Sequence, residues 1–577
     1  MTPWQEAIAQ LPIPAALKPF VVPPKIRHLY EQAASGTPES FLPSFLEAMD
    51  VAPVISDADL ARIPREGPLV VVANHPFGLL EGLLLARLLD KVRPDVRILA
   101  NSVLGFVPEM NHRLILVDPF GSEASVYANG KGVRQVLSWL GQGGALLAFP
   151  AGEVSHFDFR TRAITDPRWN DKIVRFIRHT KSTVLPMFIS GANSLAFQLM
   201  GMVNARLRTA RLLHELANKD HQRVEIHVGA PVTWSNLQTL GSDAETIRYL
   251  RYRTYLLAHR APAAPAQVRD EPAIAPAVPV QLVEREVVAL SPEQRLAESN
   301  GLEIYLAEPG QIPAGLAEIG RLREIAFRVA GEGTGKDRDL DSFDTYYQHL
   351  FIWSREERRI VGAYRLASSR DVLNSRGVSG LYTSTLFEYR PEFFAKMGPA
   401  IELGRSFVIP EYQKQYAPLL LLWKGIATLI SRRPDHPILF GAVSISNDYK
   451  AVSRRLIVRY LEANQFSPDL AGLVRPRKPF QAKHRGTSDN ESISLMLRSV
   501  EELSALTADI EPDGKGIPVL LKQYLRLGGK LLGFNIDPKF SNALDGLIMV
   551  DLRQTPAAVL QRYLGKEAAA KFAAFHA

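Results

Sequence analysis

The chain has 577 residues, 46% hydrophobic and 22% charged, enough for two or three globular domains with ordinary cores. It contains no Cys, which excludes disulfides, thiolate nucleophiles and Cys-ligated zinc. The net charge of +8 favours anionic partners, yet no zinc finger, RNP motif or dense Lys/Arg tail accompanies it, so no nucleic-acid partner is expected.

The opening residues, MTPWQEAIAQLPIP, carry an acid and prolines where a secretory leader would place basic residues and then an apolar stretch. No window offers the roughly 18 uninterrupted apolar residues of a membrane span. The best candidate, Ala417–Ile430, is short and contains Lys424. A cytoplasmic protein, peripheral at the inner face of the cell membrane, is the expectation.

In the first half, apolar runs at Leu69–Ala73, Val96–Ala100, Leu114–Val117, Ala145–Phe149, Val184–Ile189 and Val224–Val228 predict strands. Helical patterns lie between them, at Leu83–Asp90, Ala124–Gly141, Asn170–His179 and Ser194–Ala217. Strand–helix alternation predicts an α/β layered domain over residues 1–260. The Ala/Pro-rich stretch that follows has no periodicity and predicts a semi-extended linker over 261–280.

The second half, 281–577, begins with a predicted strand at Leu302–Ala307 and a helix at Ala314–Ala330. Strands at Gln348–Trp353 and Arg359–Arg365 flank a charged SREE turn. A strand at Ile401–Val408 leads through IPEYQKQYAP into a helix at Leu419–Ser431, and a strand at Ile438–Ser444 follows. This is an α+β meander with helices on its faces.

The string NHPFGLLEG follows the first strand and holds Asn74, His75 and Glu81. A His at a strand exit with a carboxylate close behind suits a base that takes a proton from an alcohol, because the carboxylate fixes the tautomer and raises basicity. The residues PFG predict a turn that lets Glu81 fold back. A His that merely caps a strand is the alternative from these residues alone. Three further strings follow strand ends: LILVDPFG with Asp118, FPAGEVS with Phe149, Pro150, Gly152 and Glu153, and VLPMFISGANS with Gly191. Loops at strand ends are where an α/β sheet assembles its site.

These four strings, in this order, resemble the four blocks of the glycerolipid and lysophospholipid acyltransferases, and the PFG and Phe-Pro-Ala-Gly-Glu elements look like the bacterial "putative hemolysin" subgroup. The resemblance covers roughly residues 50–235. It implies that His75 deprotonates a lipid hydroxyl that attacks an acyl thioester, and that Glu81 holds and charge-stabilises His75. Asn74, Asp118, Phe149, Pro150, Gly152, Glu153 and Gly191 would contact substrate, with backbone donors near Gly152 steadying the acceptor or the oxyanion. Two departures matter. Glu81 stands one residue further from His75 than the usual acid, and Ala151 replaces the Glu of block three. Plain glycerol 3-phosphate is therefore not the expected acceptor.

A second group of charges lies in the other half. IELGRSFVIP places Glu402 and Arg405 three apart along a strand, and alternation sends them to opposite faces. DLDSFD supplies Asp339, Asp341 and Asp344, and VGAYRL supplies Arg365. Charges alone leave two readings open, a site or an ion-pair brace. The loop PEYQKQYAP opens a helix, whose N-terminus suits a phosphate or a phosphopantetheine arm. LREIAF with Arg323 and Phe327, then the Asp cluster, Gly-x-x-Arg-Leu and Glu-x-x-Arg together resemble the GNAT-like N-acyltransferases, in the branch of the ornithine-lipid enzymes, over roughly 300–555.

That resemblance implies 3-hydroxyacyl transfer from acyl carrier protein, or acyl-CoA, to an α-amino group, without a cofactor or metal. Glu402 would accept the proton, Asp341 and Asp344 would draw in a cationic amino acid, Arg365 and Arg405 would hold its carboxylate or order the sheet, and Arg323 would contact substrate. The fusion resembles the bifunctional ornithine lipid synthases, in which the second transfer acylates the hydroxyl made available by the first. Expected partners are acyl carrier protein, an amino acid, a lyso-lipid and an anionic membrane surface. The basic helix faces Lys172, Arg175, Arg178 and Arg206, Arg208, Arg211 fit the acidic carrier and the membrane. Glycine, lysine or glutamine could replace ornithine, a lysophospholipid could be the acceptor, and a non-catalytic lytic protein is the alternative of another class.

Overall fold

A computed structural model describes residues 22–101, 107–117, 123–203, 211–260, 271–481, 497 and 499–577. Its described residues divide into two units. One takes the chain through Pro262 together with Ala508–Gly514, and the other takes the rest from Ala263 onward.

The first unit is built on a seven-stranded sheet. Its strands are β1 (Ala52–Val54), β2 (Leu69–Ala73), β3 (Val96–Asn101), β4 (Leu114–Val117), β5 (Ala145–Ala148), β8 (Thr183–Ile189) and β9 (Arg223–Val228), in the order β1-β9-β8-β2-β5-β3-β4. A hairpin of β6 (His156–Asp158) and β7 (Ala163–Thr165) stands outside it. All pairs are parallel except β8 with β9. β2 lies at the centre and all five of its residues are buried, as a parallel strand covered on both faces requires. Leu69, Val71 and Ala73 pack with helices Pro24–Ala33, Pro38–Ala48 and Leu80–Leu89 in one core. Helices Glu123–Gly141 and Asp243–Leu256 also pack on the sheet, and helix Lys172–Thr180 packs against both of them.

The return segment supplies one residue on which this unit depends. Asp509 is buried and accepts hydrogen bonds from Arg62 Nη1 (3.0 Å), Arg253 Nη2 (2.7 Å) and the Ala230 N–H (2.8 Å), while its carbonyl accepts from Arg260 Nε (2.7 Å).

The second unit is an eight-stranded sheet in the order β10-β11-β12-β13-β15-β16-β19-β18. The strands are β10 (Arg295–Ser299), β11 (Leu302–Ala307), β12 (Gln348–Ser354), β13 (Arg359–Ser368), β15 (Ala400–Val408), β16 (Ile438–Ile445), β18 (Lys530–Asp537) and β19 (Ala543–Asp551); β14 (Phe387–Tyr389) and β17 (Val474–Pro476) form a separate ribbon. Helices Pro313–Val329 and Tyr416–Arg432 pack on opposite faces. The first of these has no capping side chain of its own. Glu286, from helix Val280–Ala289, accepts its Ala314 and Gly315 N–H groups at 2.8 and 2.7 Å instead.

Every neighbouring pair in this sheet is antiparallel except β15 with β16. These two pair only at Ala400↔Ile438, Ile401↔Leu439 and Glu402↔Phe440, and then part. Gly441 marks the divergence: a Cβ there would fall on the Leu403 carbonyl, so only glycine fits. Beyond that point β15 stays paired with β13 and β16 with β19, leaving two facing edges unzipped.

The described part of the predicted linker is not free. The Ala275 N–H donates to Asp337 O (3.0 Å), the Val278 N–H to Glu318 Oε2 (3.1 Å), and Pro272 O accepts from Arg328 (2.9 Å). Residues 261–270 of that stretch lie outside the described residues.

Candidate active sites

The chain leaves β2 at Ala73, flanked by the ends of β5 and β8, so residues 74–82 emerge where the neighbouring loops also converge. His75 stands there with 16% of its side chain exposed, and its Nδ1 lies 2.7 Å from Glu81 Oε1, which is fully buried. The turn at Phe77–Gly78, with Gly78 at φ +95°, brings Glu81 back from the first turn of helix Leu80–Leu89. The same Oε1 accepts the N–H groups of Phe77 (3.0 Å) and Gly78 (2.8 Å), so one carboxylate caps the helix and orients the imidazole.

Burial alone would lower the His75 pKa, but the Glu81 carboxylate, helped by Asp166, raises it above its ordinary value. Burial would raise Glu81, yet His75 and the Gly78 N–H bring it below the usual range. The Phe149 ring stacks on the imidazole at 4.6 Å and 27°. With Nδ1 committed, Nε2 is the nitrogen left to face a hydroxyl. Such an arrangement can take a proton from an alcohol and stabilise the imidazolium that results.

Several other residues expected at this site have structural duties. Asn74 is a correction: it is buried, its Nδ2 donates to Ile189 O (2.9 Å) and its Oδ1 accepts the Ile189 N–H (2.7 Å), so it ties β2 to β8 and offers nothing to substrate. Gly191 is exposed; at φ +130° it lies against Phe77, whose ring a Cβ would approach to 2.5 Å, so only glycine admits that ring. The Gly152 N–H is a second correction, because it is spent on Phe149 O (3.0 Å) and steadies no oxyanion. Pro150 is buried and its carbonyl accepts the Asn170 N–H (2.8 Å). Glu153 is exposed, and Asp118 lies outside the described residues, as do Arg206 and Arg208.

Two buried groups here escaped sequence reasoning. Asp166 accepts from the His75 N–H (3.1 Å), Trp169 Nε1 (2.8 Å) and Ser155 Oγ, locking the His75 backbone to a loop 91 residues on. Lys219 donates to Ala192 O (2.8 Å) and sits 4.8 Å over the Phe77 ring; burial lowers its pKa despite Glu215 and Glu81. Neither belongs to a local pattern that would mark it.

In the second unit the expected site residues do come together, as a buried network. Arg323 makes a forked contact with Asp344 (Nη1–Oδ1 3.2 Å, Nη2–Oδ2 2.9 Å) and meets Asp339 Oδ2 through Nε (2.9 Å). Arg365 reaches Asp341 Oδ1 (2.6 Å) and Asp344 Oδ2 (3.1 Å). Arg405 reaches Asp339 Oδ2 (3.4 Å) and Asp341 Oδ2 (3.6 Å). Against burial, which would raise it, Arg323 and Arg365 hold Asp344 well below the usual carboxylate range, and Arg323 and Arg405 do the same for Asp339.

Three guanidinium groups thus meet three carboxylates, which corrects the expectation that Asp341 and Asp344 draw in a cationic substrate. Only Asp341 and Arg405, with side chains 23% and 12% exposed, form an open end.

Glu402 requires a correction too. It is buried, and its two oxygens take the Tyr347 hydroxyl, the Tyr382 N–H (3.2 Å) and the Thr383 N–H (2.8 Å). A carboxylate so engaged anchors the 382–383 loop and is not placed to receive a proton from substrate. Nor do Glu402 and Arg405 point apart. A bulge shifts the β13–β15 register between Ala363↔Phe407 and Arg365↔Gly404, with Arg405 at φ +52°. Both side chains therefore meet Tyr382, Glu402 at its N–H and Arg405 4.9 Å over its ring.

Residues 27–264 match the family model described as "Acyltransferase", and residues 322–423 match "Acetyltransferase (GNAT) domain". A glycine N(alpha)-acyltransferase of Bacteroides thetaiotaomicron is 33% identical over 44% of this chain and 79% of its own length. An L-ornithine N(alpha)-acyltransferase of Agrobacterium fabrum is 24% identical over 42% of this chain and 78% of its own. A lyso-glycine lipid O-acyltransferase of Phocaeicola vulgatus is 23% identical over 38% of this chain and 77% of its own.

Proposed function

Because the chain belongs to the aminolipid acyltransferases, with an acyltransferase domain and a GNAT domain in one polypeptide, we propose that it makes an ornithine lipid by two successive acyl transfers. The GNAT domain transfers a 3-hydroxyacyl group from acyl carrier protein to the α-amine of ornithine. The front domain then acylates the new lipid's 3-hydroxyl from a second acyl thioester. The observation that carries this reading is the His75–Glu81 pair at the centre of the front sheet, at 2.7 Å.

In the front domain His75 Nε2 takes the hydroxyl proton as the oxygen attacks the thioester carbonyl, and the imidazolium is stabilised by Glu81. The proton passes on to the departing thiolate. In the GNAT domain the neutral α-amine attacks the thioester directly, the C–S bond breaks and the proton lost by the amine passes to the departing thiolate, so no covalent enzyme intermediate is needed. The unzipped edges of β15 and β16 support an extended donor arm, since its amides can pair with free backbone groups as an added strand would. Helix Tyr416–Arg432 begins shortly after β15 ends and has no capping side chain, which suits the arm's phosphate. Neither transfer calls for a metal or cofactor.

Exposed Lys172 and Arg175 support contact with an acidic carrier. Phe159, 68% exposed at the tip of the β6–β7 hairpin, and Leu195, 74% exposed on helix Leu195–Val203, support contact with a lipid surface, beside exposed Arg160 and Arg162. Among the described residues no helix is long and apolar enough to cross a membrane.

Glycine is the second reading for the head group, because relatives named for it are 33% and 31% identical over 79% and 85% of their own length, where those named for ornithine are 24% identical over 78% and 33% over 49%. Mass spectrometry of lipids from a host expressing the chain tests the proposal. A diacylated ornithine lipid is expected, and His75→Ala should leave the monoacylated form. Absence of any new amino-acid lipid would overturn it.

A further inference from the structure

Beside the Arg–Asp network lies a second group of acids that, among the described residues, has no ion pair of its own. Glu332 follows helix Pro313–Val329, and its Oε2 accepts from Ser444 Oγ at 2.8 Å. Ser444 lies on the stretch of β16 that has already left β15, and its register partner across the sheet on β19 is Asp545. Asp545 is buried, and its Oδ2 has no hydrogen-bond partner. Asp537, at the end of β18, and Asp448, beyond β16, add negative field to Asp545 and Glu332 respectively. Among the described residues the one cation that acts on both is Arg405, which is already shared between Asp339 and Asp341.

We infer that Glu332 and Asp545 form an ammonium-binding subsite, beside the point where β15 and β16 part, that takes the side-chain ammonium of a diamino acid. This rests on the N-acylation reading above and selects its substrate class.

An ionised carboxylate buried without a partner is expensive, and the empty protein avoids that cost by staying protonated. Burial and Asp448 push Glu332 up to about 7, and burial with Asp537 and Glu332 pushes Asp545 well above its usual range. A cation arriving between them supplies the missing charge and donates to the vacant Oδ2. Finally, carboxylates hold an ammonium in its charged form, which is the wrong form for a nucleophile. The subsite therefore suits the amine that does not react, and glycine has no such amine.

The test is a competition. The purified full chain is given a 3-hydroxyacyl thioester of acyl carrier protein with equimolar ornithine, lysine and glycine, and N-acyl products are quantified by mass spectrometry. The expected result is an excess of N-acylated diamino acid over N-acylglycine of about tenfold or more. Glu332→Gln, which keeps an acceptor for Ser444, and Asp545→Asn should each cut that ratio by about tenfold. N-acylglycine as the main wild-type product would overturn the subsite while leaving N-acylation standing. So would an unchanged ratio in both variants. Failure of the wild-type chain to acylate any amino acid would instead remove the N-acylation reading, and the subsite with it.

Discussion

His75 Nδ1 lies 2.7 Å from Glu81 Oε1, and that oxygen also receives the N–H groups of Phe77 and Gly78. The imidazole works as a base only when neutral, and Glu81 keeps its pKa above the ordinary 6.5. O-acylation should therefore rise with pH through a midpoint above that value. Glu81→Gln should move the midpoint down and lower the plateau. His75→Ala should lose about 10²–10⁴ of the rate. The pH–rate profile of O-acylation checks all three, and an unmoved midpoint in Glu81→Gln would refute the pairing.

Glu402 gives the opposite expectation. All three of its donors point at an acceptor-only carboxylate, so Glu402→Gln turns an amide NH2 against one of them at a cost of about 1–3 kcal/mol. The melting temperature should fall, while the N-acylation pH profile should keep its shape. A variant with unchanged melting and a lost basic limb would restore Glu402 as the proton acceptor.

Asn74 separates scaffold from substrate contact. Asn74→Asp preserves the bond from the Ile189 N–H but sets an anionic oxygen against the Ile189 carbonyl. We expect about 1–3 kcal/mol of destabilisation. Any KM change for lyso-lipid should vanish when measured well below the lowered melting temperature. A KM change that persists in the cold would assign Asn74 a part in binding.

The stability of the GNAT domain should fall on both sides of a window. Asp339 and Asp344 have folded pKa values below 3.8, so their contribution is present above that pH and is lost as pH falls toward the folded values. Glu332 has the reverse sign: raised to about 7, its contribution is complete below 4.5 and is lost as pH rises through 7. Scanning calorimetry should show this transition highest between about pH 4 and 5. Asp344→Asn should lower it by about 3–5 kcal/mol at neutral pH, because it strips charge from two buried arginines. Glu332→Gln should flatten the alkaline side.

Much of the fold was legible where physics is local. β2, β4 and β11 match their predicted residues end to end, because short apolar runs bounded by turn residues have few other uses. Helix Asp243–Leu256 was missed because its buried face includes Thr246, Arg253 and Thr254 and shows no apolar stripe. The His75–Glu81 relation was legible from the PFG turn between them. Glu402 and Arg405 were misplaced because strand alternation fails at a bulge, and the bulge follows from a positive φ at Arg405 that its residue type does not announce. Asp166 and Asp545 gain meaning only from partners remote in sequence.

Asp509 enters the front domain from almost 250 residues beyond that domain's other end. While the chain is being synthesised, Arg62 and Arg260 have only Asp59, and Arg253 has no acid, until the GNAT sheet is largely made and Asp509 arrives. A nascent front half therefore stays unfinished on the ribosome, open to chaperones. A gene cut at the Ala/Pro stretch would encode a polypeptide with three cationic side chains arranged around a gap, so the two catalysts are inherited together and are not freely separable modules.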